Sequence, residues 1–73
     1  MNQQIVMDQN GDTRHSFELS DADAVMRAEQ RFVELTSLGF TAAVRDKTGE
    51  VHLVRTFDPG AKETLFYPRL VGG

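Results

Sequence analysis

Ser20-Asp21-Ala22-Asp23-Ala24-Val25-Met26-Arg27-Ala28-Glu29-Gln30-Arg31-Phe32-Val33-Glu34-Leu35-Thr36-Ser37-Leu38-Gly39-Phe40 is the stretch whose reading decides the fold. Val25, Ala28, Phe32 and Leu35 recur at spacings of three, four and three, which lines them along one side of a helix with Arg27, Gln30 and Glu34 on the other. Ser20 is a natural N-cap, and Asp21 and Asp23 in the first turn suit the positive end of the helix dipole. Asp23 also occupies the place of a capping-box residue. Gly39 after Leu38 reads as the stop, with Phe40 closing a hydrophobic contact across it. The spacing predicts a helix from Asp21 to Leu38.

On either side of this helix the pattern is that of paired strands. Gln4 to Asp8 and Thr13 to Leu19 flank Asn10-Gly11, a hairpin turn signal. Two registers are open. A two-residue loop pairs Gln9 with Asp12 and sets Ile5 and Met7 opposite Ser16 and Arg14. A three-residue loop with Gly11 left-handed pairs Asp8 with Asp12 and puts Ile5, Met7, Phe17 and Leu19 on one face. Since a one-residue slip moves a whole set of side chains across the sheet, the second register is preferred because it gathers the apolar residues. After the helix, Phe40 to Arg45 and Val51 to Phe57 flank Asp46-Lys47-Thr48-Gly49, with Gly49 able to take a left-handed turn position. Asp58-Pro59-Gly60 breaks the second strand, Ala61 to Glu63 fits a short helical turn, and Thr64 to Tyr67 reads as a last strand stopped by Pro68.

One helix cannot bury its apolar stripe alone, so it must pack across one face of a sheet. The expected class is α+β, with one helix on a four- or five-stranded mixed sheet. Two hairpins around a helix, then a returning strand, is the order of the β-grasp fold, in which the last strand lies beside the first. A split sheet of another topology is the alternative. The expected core holds Phe17, Val25, Phe32, Leu35 and Phe66. Residues 1–68 form the domain, and 69–73 a tail expected to be disordered in the free protein, because Gly72 and Gly73 cannot anchor themselves by side-chain burial.

Composition narrows the function. Seventy-three residues make one domain with a modest core. There is no cysteine, so disulfides, thiolate metal sites and a cysteine nucleophile are excluded. Eleven acidic residues outweigh eight basic ones, and the basic ones are scattered singly, unlike the clustered cations of a nucleic-acid binder. Met1-Asn2-Gln3-Gln4 begins no secretory signal, and no apolar run approaches a membrane span. The expectation is a cytoplasmic protein with no nucleic-acid or membrane partner.

The chemistry lies in Gly72-Gly73. Glycine is about 7% of average sequence, so a terminal pair arises by chance in roughly half a per cent of chains. Without Cβ atoms this backbone can thread a narrow channel and reach a reactive centre. The α-carboxylate, ionised at neutral pH, can attack the α-phosphate of ATP to form an acyl adenylate, which a thiolate or persulfide then attacks. Phosphate and magnesium contacts must come from an activating enzyme, since the chain has no Gly-rich nucleotide loop.

The run Leu65-Phe66-Tyr67-Pro68-Arg69-Leu70-Val71-Gly72-Gly73 resembles the ends of prokaryotic sulfur carriers of molybdopterin and thiamine synthesis. In the molybdopterin type, two aromatics, a proline pair and two small apolar residues precede Gly-Gly. Phe66 and Tyr67 match the aromatics, Pro68 the first proline, and Leu70-Val71 the apolar pair; Arg69 replaces the second proline and is more like eukaryotic ubiquitin. The resemblance is to the ubiquitin-like superfamily, of prokaryotic modifier or sulfur-carrier type. It implies that Gly73 carries the adenylate, thiocarboxylate or conjugate and that Gly72 provides clearance. It also implies that the outer face of the last strand, through Tyr67, Leu65 and Leu70, docks an adenylating enzyme. A conjugating enzyme or isopeptidase would be further partners. The resemblance calls for no bound cofactor and makes the chain a substrate of enzymes rather than an enzyme. A non-conjugated β-grasp interaction module, with an incidental tail, is the competing reading.

Other candidates are weaker. His15 and His52 lie on different strands with Asp8, Asp12 and Asp46 not far off, but the spacing demands no metal site, and exposed strand histidines are the expectation. Asp21 and Asp23 are explained by their place at the start of the helix rather than by acid–base catalysis. Lys47 and Lys62 are the only lysines and are expected to be solvated surface residues, although chain building through amines would have to use them or the N-terminus.

Overall fold

Helix α1 spans Ala22–Ser37, one residue inside the expected bounds at each end, in a computed structural model that describes residues 1–68. Leu70, Gly72 and Gly73, and the expectation of a disordered tail from Arg69, lie outside the described residues. The N-cap is Asp21 rather than Ser20: its backbone is extended and its Oδ1 accepts from the Ala24 N–H at 3.1 Å. A carboxylate in this position both caps an N–H and meets the dipole. At the other end Leu38 is the C-cap, and Gly39 follows with φ +100°, the conformation for which glycine was read there. Ala28 and Phe32 are buried, whereas Val25 and Leu35 are half-buried.

The strands are β1 (Asn2–Asp8), β2 (Gly11–Phe17), β3 (Phe40–Arg45), β4 (Val51–Val54) and β5 (Glu63–Pro68), in the sheet order β2-β1-β5-β3-β4. β1 and β5 are parallel, and the other neighbours are antiparallel. The structure is therefore α+β, one helix on a five-stranded mixed sheet, with the last strand beside the first as expected. No helical turn forms at Ala61 to Glu63; the chain bends there and enters β5 at Glu63.

Neither expected register of the first hairpin is adopted. Asp8 faces Gly11 and Met7 faces Asp12, one residue away from the preferred pairing. Gly11 takes φ +113°, and Gln9 and Asn10 keep negative φ. Ile5 and Met7 consequently stand opposite Arg14 and Asp12, while Phe17 stands opposite Asn2. Alternation then separates Ile5 and Met7 from Phe17 and Val6. The expectation of one shared apolar face failed because β1 is an interior strand, flanked by β2 and β5, with buried residues on both faces. Leu19 lies past the end of β2 and is exposed.

Val6, Phe32, Ala42 and Phe66 form the centre of the core, with Leu35, Phe40, Val54 and Phe57 packed against it. Phe57 was expected to continue β4. The chain instead leaves the sheet after Val54 and brings the Phe57 ring 5.9 Å from Phe32 and 6.2 Å from Phe17. Phe32 meets Phe66 edge-on at 5.7 Å, a favoured aromatic geometry. Polar groups tie the layers together as well. Gln4 is fully buried; its Nε2 donates to the Ala28 carbonyl at 2.9 Å, and its Oε1 accepts from Arg31 at 2.8 Å. Both ends of the amide are thus satisfied, which a buried side chain of this kind requires.

Candidate functional site

The root of the tail is the end of β5. Phe66 points into the core opposite Ala42, and Tyr67 and Pro68 stand opposite Thr41 and Phe40. β5 is paired on both sides as far as Phe66, with β1 and with β3, and beyond it Tyr67 and Pro68 are paired with β3 alone. Alternation puts Leu65 and Tyr67 on the sheet face away from α1, as expected, but the two differ in what they offer. Leu65 is only 8% exposed, in a row with Ile5 on one side and Ala43 on the other. Tyr67 is half-buried and presents part of its ring.

The same outer face continues into β4, where register places Leu53 beside Ala43 and Val51 beside Arg45. Leu53 is 70% exposed, the most open apolar side chain on this face. Neither residue was singled out from the sequence as a surface feature, although Val51 and Leu53 alternate with His52 and Val54 in an edge strand. A shallow groove of about 280 Å³, lined by Thr36, Phe40, Thr41, Leu53, Val54 and Arg55, opens where the chain turns away after Val54. Phe40 and Thr41 of this groove are the residues paired with Pro68 and Tyr67.

Lys47 and Lys62 are both exposed and line one hollow with Arg45, Asp46, Asp58 and Glu63. It lies at the end of the sheet where β5 begins, opposite to the end where β5 delivers the tail. The histidines were read as separate exposed strand residues. His15 is half-buried beside Gln4, and its pKa is lowered by burial and then by the nearby Arg31 cation. His52 is exposed but not isolated: its Nε2 lies 2.7 Å from Asp46 Oδ2 and 3.8 Å from Glu50 Oε2.

Asp46 organises the β3–β4 turn. Its Oδ1 accepts from the Thr48 N–H, the Thr48 hydroxyl and the Glu50 N–H at 2.8, 2.6 and 3.1 Å. The Thr48 hydroxyl first, and His52 second, hold this carboxyl well below the usual carboxylate range. The pairing of Arg45 with Val51 is what makes neighbours of positions 46, 50 and 52. That closing pair was implicit in the strand bounds read from the sequence, and it is the signal by which the cluster could have been found. Asp21, by contrast, is an N-cap and Asp23 an exposed first-turn residue.

No helix among the described residues is long and apolar enough to cross a membrane. Comparison with known proteins gives no match: no family model, no curated protein and no solved structure is similar enough to this chain to carry an argument.

Proposed function

We propose that this chain is a β-grasp, ubiquitin-like protein of the cytoplasm whose working group is the carboxylate of Gly73, activated by a separate adenylating enzyme. The observation that carries this reading is the Gly72-Gly73 pair, four and five residues beyond Pro68, on a tail rooted in the central strand of the sheet. The element order and the parallel pairing of first and last strands support it, because they are those of the β-grasp.

A carboxylate oxygen of Gly73 forms a bond to the α-phosphorus of ATP as the bond to the bridging oxygen breaks, and pyrophosphate leaves. A sulfur nucleophile, or the amine of a target lysine in the modifier version, then adds to the Gly73 acyl carbon and expels AMP. Gly72 gives the clearance that a Cβ would remove. Within the domain, the docking surface is Tyr67 with the exposed Leu53 and Val51 of the same sheet face; Leu70 extends it along the tail. Leu65 contributes through the position it gives Tyr67, being closed over itself. A conjugating enzyme or isopeptidase would use the same tail.

The test is ATP–pyrophosphate exchange with the cognate adenylating enzyme. Deleting Gly73, or adding one residue beyond it, is expected to abolish exchange, since a misplacement of about 1 Å can cost roughly a hundredfold in rate. Mass spectrometry separates the versions: sulfur added at Gly73 for a carrier, a Gly-Gly remnant on target lysines for a modifier. Exchange that survives deletion of Gly73 would replace this reading with that of a non-conjugated interaction module.

A further inference from the structure

Asp46, Glu50 and His52 gather one nitrogen and two oxygen donors on the β3–β4 hairpin, with one donor atom from each lying within 4.8 Å of the other two. Asp46 comes immediately after β3, Glu50 immediately before β4 and His52 from β4 itself. The arrangement is held by the backbone: the Asp46 N–H donates to the Glu50 carbonyl at 2.8 Å and the Gly49 N–H to the Asp46 carbonyl at 3.1 Å. Gly49 supplies the positive φ, +90°, that the turn needs.

The division of labour within Asp46 matters most. Oδ1 is spent on the turn, so the carboxylate cannot rotate freely, and Oδ2 is left facing the imidazole. A ligand fixed in this way is already oriented by its outer partners, the feature that metal ligands generally require. Among the described residues, neither Asp46 nor Glu50 makes an ion pair with a lysine or arginine; the imidazole is the one partner of both.

We propose that this hairpin is a binding site for a divalent transition metal, with Zn²⁺ the best fit, held by His52 Nε2, Asp46 Oδ2 and Glu50 Oε2. Metal–ligand bonds of about 2.1 Å set neighbouring donors roughly 3.0–3.4 Å apart. The 2.7 Å between Asp46 and His52 must therefore open slightly, and the 3.8 Å between Glu50 and His52 must close slightly. Glu50 is exposed and can make that adjustment. An imidazole with two carboxylates favours zinc over the oxygen-seeking magnesium and calcium. Water completes the coordination at so open a site. Binding displaces the proton that links Nε2 to Asp46 Oδ2, which passes to solvent. The ring carries its remaining proton on Nδ1, so the Nε2 lone pair is left for the metal. The site is independent of the tail and of the proposed activation of Gly73.

The experiment titrates untagged, metal-stripped protein with Zn²⁺ and follows both histidine rings by NMR, with calorimetry for stoichiometry. One-to-one saturation that moves the His52 ring resonances and leaves those of His15 in place is the expected result. His52→Gln should weaken binding by about tenfold or more, the scale on which even supporting partners of a ligand act. Glu50→Gln should weaken it less, and His15→Gln not at all. Circular dichroism checks that each variant is folded; Asp46 is left intact because the turn depends on it. Absence of saturation, equal perturbation of His15, undiminished binding by His52→Gln, or the same His52 response to Mg²⁺ would each overturn the proposal.

Discussion

Truncating Phe32 to alanine tests the packing on which the rest of the molecule depends. Phe32 is 2% exposed and meets two rings, Phe66 at 5.7 Å and Phe57 at 5.9 Å. Phe→Ala in a core costs about 3–5 kcal/mol. Each aromatic pair adds about 0.5–1.5 kcal/mol beyond area burial, which places this site toward the upper end of that range. A 73-residue domain has about 4–11 kcal/mol in total, at roughly 0.05–0.15 kcal/mol per residue. The substitution therefore removes between about a third and all of the stability. In a domain of this size each kcal/mol is worth roughly 4–8 °C in Tm, so a melt shifted by more than about 12 °C, or no cooperative melt at all, is expected. Urea unfolding followed by circular dichroism gives the free energy directly. Leu53→Ala is the internal control: Leu53 is 70% exposed, and a surface substitution should stay within about 0.5 kcal/mol. A loss below about 1 kcal/mol for Phe32→Ala, or equal losses for the two variants, would refute the assigned core.

Other expectations follow from single contacts. His15 is held below its ordinary value of 6.5 by burial and by Arg31, so the unfolded chain takes up this proton first. Its contribution to stability is full above about pH 6.5 and declines as pH falls from there toward the lower folded value. Denaturation on either side of that pH should show the decline, and His15→Gln should flatten it; an unchanged slope would reject the assignment. Gln4→Ala removes both hydrogen bonds of a fully buried amide, leaving the Ala28 carbonyl and Arg31 without it and a void in its place; a loss of about 2 kcal/mol or more is expected in urea unfolding, and a neutral effect would mean that the link to α1 is not made in solution. Asp21→Ala should cost about 0.5–2 kcal/mol through the lost N-cap, whereas Ser20→Ala should cost almost nothing; the reverse order in thermal melts would restore Ser20 as the cap.

The helix and the strand order were legible because their signals are local. The stripe from Val25 to Leu35, the acidic first turn and Gly39 are all within one segment, and each leaves its mark on neighbouring residues. The hairpin register was not legible, because it depends on β5. That strand comes from the far end of the chain and covers the side of β1 that a free hairpin would leave open. Ile5 is thereby buried on the face away from the helix, paired with Leu65, and the rule that gathers apolar residues on one face gives the wrong answer. The same insertion buried Leu65, which the sequence offered as a docking residue, and left Tyr67 partly open two residues later. Phe57 misled for a related reason: its alternation with Val51 and Leu53 fits a strand, but the space between Phe17 and Phe32 was occupied by drawing it out of the sheet.

β5 also links stability to the proposed activity. Its parallel pairing with β1 joins residues about 60 positions apart, such as Ile5 and Leu65, and contacts of such separation form only after the intervening chain has been ordered. Tyr67 and Pro68 pair with β3 alone, but the strand that carries them is fixed in place only when β3 and β1 both hold it through Phe66. A chain that has lost its core still carries Gly72-Gly73 but no longer presents them from a defined surface. In the proposed reading, core variants such as Phe32→Ala should therefore reduce activation in proportion to the fraction unfolded, while leaving the folded fraction as competent as the parent. A docking variant such as Tyr67→Ala should do the opposite, weakening the response of fully folded protein. Exchange rates normalised to the folded fraction measured by circular dichroism distinguish these two outcomes.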